Sequence, residues 1–262
     1  MTLSAADRER YHRDGFAGPL DLLAQGEVAE VREAIAEVID HLDDLEPELY
    51  EVEAAHLERP GEVVCHFLGG WLVHPVLREL AFDPRIAAVA AAALGVDTLR
   101  LFHDQVFSKP PHHPGVVPWH QDYSYWRRTA PVQHVTVNLL LDDSDEDSGC
   151  LMFLPGSHRL PLLPPIPFDA DLEAIREHVA SELDWDPVAV PCRAGQATIH
   201  HPLTLHGSGP NRSSRWRRAA VLNYIGPEVV VADDSMPLLR GVPRLAGGEP
   251  VAGEHFPIVW QR

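Results

Sequence analysis

The stretch VQHVTVNLLL, residues 132–141, alternates with a period of two. Val135, Val137, Leu139 and Leu141 fall on one side, and His134, Thr136 and Asn138 on the other. Successive side chains of an extended chain leave opposite faces, so this pattern predicts a strand with one apolar and one polar face. Working outward, Thr98–Lys109, Cys150–Leu154, Gln196–Leu205 and Trp216–Ile225 read as further strands, separated by Pro- and Gly-rich turns such as PPHHPGVVP at 110–118. Upstream the period changes. Ser4 caps a short helix that ends before Gly15. Val28, Val31, Ile35, Val38, Ile39 and Leu42 share one helical face between Gly26 and Leu42. Leu77, Leu80, Ala81, Ile86, Val89 and Leu94 repeat it, with a break at Pro84 and a stop at Gly95. The expectation is a mainly β fold with α: a barrel or jelly roll backed by N-terminal helices. The apolar face of 132–141 then meets the helices, and the polar face lines the interior.

One domain over residues 1–262 is expected: a helical N-terminal region over residues 1–95, a barrel core over about 97–227, and a C-terminal segment 228–262. The Pro-rich stretch 159–192, with a helix over Asp169–Ala180, reads as an insertion at the barrel mouth.

Composition excludes whole classes. With 45% apolar and 23% charged residues the chain is globular, neither disordered nor fibrous. No window is long and apolar enough for a membrane span, and MTLSAADRERYHRDG lacks the apolar segment of a secretory signal. Three scattered cysteines argue against a disulfide framework and for the cytoplasm. Charge is 21 basic minus 39 acidic, or −18, which speaks against a nucleic-acid partner. A small-molecule partner is expected, and nothing in the sequence sets an oligomeric state. Of the basic residues only Lys109 is lysine, so an ammonium is expected to be needed there.

Sixteen histidines offer metal ligands. His-x-Asp occurs at His12/Asp14, His41/Asp43 and His120/Asp122. Two residues apart on a helix the side chains diverge, while on a strand they share a face. The first two triplets lie in helical stretches and read as solvated surface. The third, in PWHQDYSYW at 118–126, has the extended context that lets both groups reach one ion. A further ligand must come from a distant strand, and ATIHHPLTLHGSGPN at 197–211 offers His200, His201 and His206. His206 directly precedes a Gly/Pro/Asn turn, at the strand end where barrel sites open. Two histidines and one carboxylate leave half an octahedron open, which suits Fe(II) oxygenases; a zinc hydrolase uses similar ligands. Arg217 and Arg218 begin the return strand on opposite faces, so only one enters the barrel.

Several ordered motifs together carry a resemblance. WHQD at 119–122, the strand ending LLLDD at 139–143, SGCLMFLPGSH at 148–158 and HHPLTLHGSGPNRSSRWRRAAVLNYI at 200–225 resemble the phytanoyl-CoA dioxygenase family of Fe(II)/2-oxoglutarate oxygenases. DRERYHRDGF at 7–16 and DQVFSKPP at 104–111 resemble it too. The resemblance implies a double-stranded β-helix, with His120, Asp122 and His206 on Fe(II). It implies 2-oxoglutarate and O2 as cosubstrates, with Arg217, Ser208 and Lys109 toward 2-oxoglutarate and Gln105 in the same pocket. At Asn138 many relatives carry Trp, so the pocket wall departs from the family pattern there. Tyr123, Tyr125, Trp126 and Arg127 follow the ligands and are expected to line the substrate pocket. The implied activity is hydroxylation of a metabolite with release of succinate and CO2. Asp122 disfavours the halogenase variant, which needs that ligand position vacant. A non-catalytic jelly-roll binding protein and a cupin-like metalloenzyme without 2-oxoglutarate are the alternatives.

Bland readings are expected elsewhere. Arg218 pairs with the acidic shell, DDSDED at 142–147 is a solvated turn, His112 and His113 are loop residues, Trp119 is core, and PGSH at 155–158 is a structural turn.

Overall fold

The computed structural model describes residues 3–179 and 184–262. The first helix, Ala5–Asp14, starts where the Ser4 hydroxyl accepts the Asp7 N–H at 3.1 Å, and ends at Gly15 in the left-handed region (φ 87°). Helix Gln25–Asp40 buries Val28, Val31, Ala34, Ile35 and Val38; of the stripe read from the sequence, Ile39 is half-buried and Leu42 falls in the next short helix, Leu42–Leu45. Pro84 marks a boundary: helix Pro75–Ala81 stops before it, and Asp83 caps a new helix, Pro84–Leu94, that ends on left-handed Gly95.

The strands in chain order are β1 (Phe16–Asp21), β2 (Glu51–Val52), β3 (Cys65–Leu68), β4 (Thr98–Lys109), β5 (Val117–His120), β6 (Thr129–Ala130), β7 (His134–Leu140), β8 (Leu151–Phe153), β9 (Val188–Ala189), β10 (Gln196–His200), β11 (His206–Ser208), β12 (Arg217–Ile225), β13 (Val230–Val231) and β14 (Ile258–Gln261). A large antiparallel sheet runs β1-β10-β7-β12-β4-β3-β2, with β14 also on β4. A smaller sheet runs β5-β11-β8-β9, and β13 pairs with β6. The two larger sheets face each other as a jelly roll. Val135, Val137, Leu139 and Leu141 join the helices in one apolar core, as their alternation predicts. His134, Thr136 and Asn138 turn the other way and are buried inside the barrel.

Register stacks the inward side chains of the large sheet into rows. His200 pairs with Thr136, Thr136 with Asn223, and Asn223 with His103. The next row holds Thr198, Asn138, Val221, Gln105 and Leu68. Farther along, Leu140, Ala219, Phe107 and His66 align, and beyond them Arg217 faces Lys109.

Four expectations change. The boundary at residue 95 is not the boundary of the sheet, because β1, β2 and β3 come from the N-terminal region. The C-terminal segment likewise supplies β14. Gln196–Leu205 is not one strand: β10 ends at His200, residues 201–205 turn at Pro202, and His206 opens β11 in the opposite sheet. The expected helix over Asp169–Ala180 is a 3-10 turn, Ala174–His178; Ala180 lies outside the described residues. DDSDED is less solvated than expected, since Asp142 is buried against Arg218 and Arg32. Among the described residues no helix is long and apolar enough to cross a membrane.

Candidate functional site: a His-Asp-His centre and two cavities

His120 ends β5 and His206 begins β11, and the two pair directly across the small sheet. Asp122 follows His120 at the start of a short helix, Tyr123–Trp126. Asp122 Oδ1 lies 3.4 Å from His120 Nε2 and 3.7 Å from His206 Nε2. The three ligand atoms all lie within 4.8 Å of one another, the spacing of donors around a single ion. Both imidazoles are oriented for it. His120 Nδ1 meets the Pro118 carbonyl at 2.7 Å, and His206 Nδ1 meets the Thr204 carbonyl at 3.0 Å. A carbonyl only accepts, so each Nδ1 carries the proton and each Nε2 offers a lone pair. Burial opposes the Asp122 charge, but His206, His120 and His200 outweigh it and hold the carboxyl well below its usual range. Burial, then His120 and His200, keep His206 well below its usual value and therefore neutral. Two imidazole nitrogens with an ionised carboxylate are the donor set that Fe(II) takes. His12 and His41 are exposed on or beside helices, as expected.

An inner cavity runs from this triad into the barrel, past Thr136, Asn138 and Gln105, to Ser208 and Arg217. Arg217 is 1% exposed, yet its Nε and Nη2 have no partner among the described residues, and burial lowers its pKa to about 10. Asn138 Nδ2 is a third buried donor without a partner. Unmet buried donors cost about 1–3 kcal/mol each, more when charged. The cavity therefore asks for an anion rich in acceptors. A guanidinium fork is the group that pairs with a carboxylate through two hydrogen bonds.

Lys109 is fully buried but stands behind this cavity. Its Nζ donates to Ser208 Oγ at 2.8 Å and to the carbonyls of Gly209 at 2.6 Å and Ser208 at 3.3 Å. Ser208 Oγ in turn donates to the Gly149 carbonyl at 2.7 Å. Burial and then Arg217 hold the ammonium well below its usual pKa. Arg218 turns outward, where it forks onto Asp142 at 2.9 Å with both nitrogens.

A second, wider cavity of about 690 Å³ opens from the triad toward solvent. Tyr125, Trp126 and Arg127 line it. Tyr123 does not; it is packed in the core with its hydroxyl on the Thr129 carbonyl. The insertion contributes Pro165–Phe168, and Tyr125 Oη donates to the Ile166 carbonyl at 2.6 Å. His66 and His103 line the wall as well. Burial lowers their pKa values to about 4 and about 3, so both are neutral at physiological pH. Gln105 touches both cavities and lies 2.9 Å from His66 Nε2. His66 and His103 carry no motif, and His200 and Asn223 lie within the 200–225 motif without a role that it assigns. Alternation along Thr98–Lys109 was the available signal for His103, and pairing register was needed for the rest. Trp119 is core and PGSH is a structural turn, with Ser157 Oγ on the Leu154 carbonyl.

The phytanoyl-CoA dioxygenase (PhyH) family profile matches residues 11–219. A probable alpha-ketoglutarate-dependent hypophosphite dioxygenase of Stutzerimonas stutzeri is 32% identical over 152 residues. That match covers 55% of this chain and 49% of that protein. The methylphosphonate hydroxylase of Gimesia maris is 28% identical over 85% of this chain and 81% of its own length. Among solved structures, the alpha-ketoglutarate-dependent epimerase SnoN of nogalamycin biosynthesis superposes with a TM-score of 0.76, 26% identity and 98% coverage of both chains. SnoN has also been solved with Fe3+ and alpha-ketoglutarate. The profile match, the donor set and the jelly roll agree: this chain belongs to the phytanoyl-CoA dioxygenase family of Fe(II)- and 2-oxoglutarate-dependent oxygenases.

Proposed function

We propose that His120, Asp122 and His206 hold the iron and that Arg217, Asn138, Ser208 and Gln105 receive 2-oxoglutarate, with Lys109 fixing Ser208 from behind. The substrate is a neutral or cationic metabolite bound in the outer cavity. One observation carries the cosubstrate assignment: a buried guanidinium with two unmet donors ends the cavity that begins at the triad. When bound, iron, 2-oxoglutarate and O2 supply the oxidation, giving succinate, CO2 and a hydroxylated product. The chain's own groups orient the reactants and exclude water. Arg217 fixes the cosubstrate's far end, and the imidazole Nε2 atoms and Asp122 Oδ1 fix the centre. Tyr125 and Trp126 wall the substrate side.

The outer cavity supports the substrate class. Its volume is in the range that encloses a drug-sized ligand, well beyond hypophosphite or methylphosphonate. Glu51, Glu53 and Asp233 stand in its wall against Arg127 and Arg128. The Arg128 guanidinium is already committed to the carbonyls of Met236, Pro237 and Leu238. His66 and His103 are uncharged. Such a wall favours neutral or cationic groups over the phosphates of an acyl-CoA. The test is substrate-dependent succinate release across a metabolite panel graded by charge, with mass analysis of products. A product heavier by one oxygen atom marks hydroxylation, one lighter by two hydrogens marks desaturation or ring closure, and one that has lost a CH2 unit marks demethylation. Preference for anionic substrates sinks the substrate reading; substrate turnover without succinate sinks the cosubstrate reading.

A further inference from the structure

The second oxygen of Asp122 has its own partners. Oδ2 accepts from Thr136 Oγ1 at 2.7 Å and from His200 Nε2 at 3.0 Å. Both donors stand in one cross-strand row, His200 on β10 directly beside Thr136 on β7. The row continues: Asn223 Oδ1 on β12 lies 2.9 Å from Thr136 Oγ1, and Asn223 Nδ2 lies 3.3 Å from His103 Nδ1 on β4. All four side chains are at least 98% buried. A carboxylate only accepts, so the Thr136 hydroxyl and the His200 Nε2–H both donate to Oδ2. The other oxygen, Oδ1, is the one nearest His120 and His206.

We propose that His200 is a positioning residue for the metal centre: with Thr136 it pins Oδ2, so that Asp122 presents only Oδ1 to the metal. A carboxylate left to rotate binds through both oxygens and occupies a position that the open half of the centre needs. His200 is not a fourth ligand, because its Nε2 is used on Oδ2 and its other nitrogen is buried without a partner among the described residues. This inference rests on the ligand assignment proposed above.

The test uses Co(II) as the probe, titrated anaerobically into metal-free wild-type protein and the His200→Phe, His200→Gln and Thr136→Val variants. Thermal melts of the metal-free proteins serve as folding controls. His200→Phe keeps the volume and removes the donor. It is expected to bind one Co(II) about 10- to 100-fold more weakly, with an altered ligand-field spectrum. Gln supplies an N–H at similar reach and should restore most of the affinity. Thr136→Val should weaken binding in the same direction, and it serves as the probe if His200→Phe does not fold. Wild-type Co(II) affinity and spectrum in folded His200→Phe or folded Thr136→Val overturn the proposal, because a structural role lowers only the melt. Loss of all binding in His200→Phe, equal to that in His206→Ala, makes His200 a ligand and also overturns it. If His206→Ala binds like wild type, the ligand assignment has failed instead, independently of His200.

Discussion

At the scale of single residues, charge and its partners separate the two neighbouring arginines. Arg217 lies in the barrel with two unmet donors, while Arg218 is paired with Asp142 near the surface. Arg217→Ala should raise the 2-oxoglutarate KM strongly, by the ~2–5 kcal/mol that truncating a buried charge pair costs. Arg218→Ala should leave KM unchanged and lower the melting temperature slightly. Initial rates at varied 2-oxoglutarate check both, and the reverse ranking refutes the face assignment. Lys109 makes a different prediction. Three oxygens of residues 208 and 209 enclose its ammonium, which is compact where a guanidinium is broad and planar. Lys109→Arg, though charge-conserving, should therefore impair turnover almost as much as Lys109→Ala. Wild-type succinate kinetics in Lys109→Arg would return the lone lysine to coincidence. The sequence singled out Lys109 by composition and by motif. It carried no sign that the side chain reaches Ser208 and backbone rather than the cavity, because that depends on where the chain folds back.

At the scale of elements, what was legible is what repeats locally. Thr98–Lys109 is a strand over the residues expected, and the two faces of 132–141 bury as read. The less legible strands are short or interrupted. β1 is FAGPLD, whose Gly18-Pro19 breaks the alternation, and β14 holds four residues. Such segments become strands because a neighbour's unpaired edge receives them, which is tertiary information. The proposed ligands were legible, since His120 and Asp122 share a triplet. The row that holds Asp122 was not, since His103, Thr136, His200 and Asn223 are scattered over four strands and meet only through register. One junction between elements is testable. Gly149 precedes β8 at φ 75°, and a Cβ there would stand 2.3 Å from the Gly209 carbonyl oxygen. The Gly149 carbonyl is also what Ser208 Oγ bonds. Gly149→Ala should cost on the order of 1–3 kcal/mol of backbone strain, read as a lowered melting temperature. It should also raise the 2-oxoglutarate KM, because β11 must shift at Ser208. A stability loss with unchanged KM would show that the two strand ends are not coupled.

At the scale of the whole molecule, the interior is unusually rich in neutral imidazoles, and folding is therefore linked to pH. Burial lowers the pKa of His66 and His201 to about 4 and of His103 and His134 to about 3, against an ordinary 6.5. For a base with a depressed folded pKa, the unfolded chain takes up protons first, so stability falls as pH drops below 6.5. Asp104 works the other way. Burial raises its pKa from 3.8 to about 7, so the folded protein keeps a proton that the unfolded chain releases, and stability falls as pH rises through that window. Between pH 6.5 and 4 the four histidines outnumber the one aspartic acid. The unfolded chain then binds more protons than the folded one, and the slope of stability against pH is positive. Metal-free protein should accordingly lose several kcal/mol between pH 7 and pH 5, on the order of one to two for each histidine less the opposing aspartate. Denaturant unfolding at constant ionic strength measures this. Replacing His134, which meets Thr129 Oγ1 at 3.1 Å and packs against Phe102 and Trp126, with Gln should flatten the slope below pH 6.5. Asp104→Asn should steepen it between pH 5 and 7, by removing the opposing group. A stability that is flat or rising from pH 7 down to 5 would mean that the buried histidines take up protons within the folded barrel.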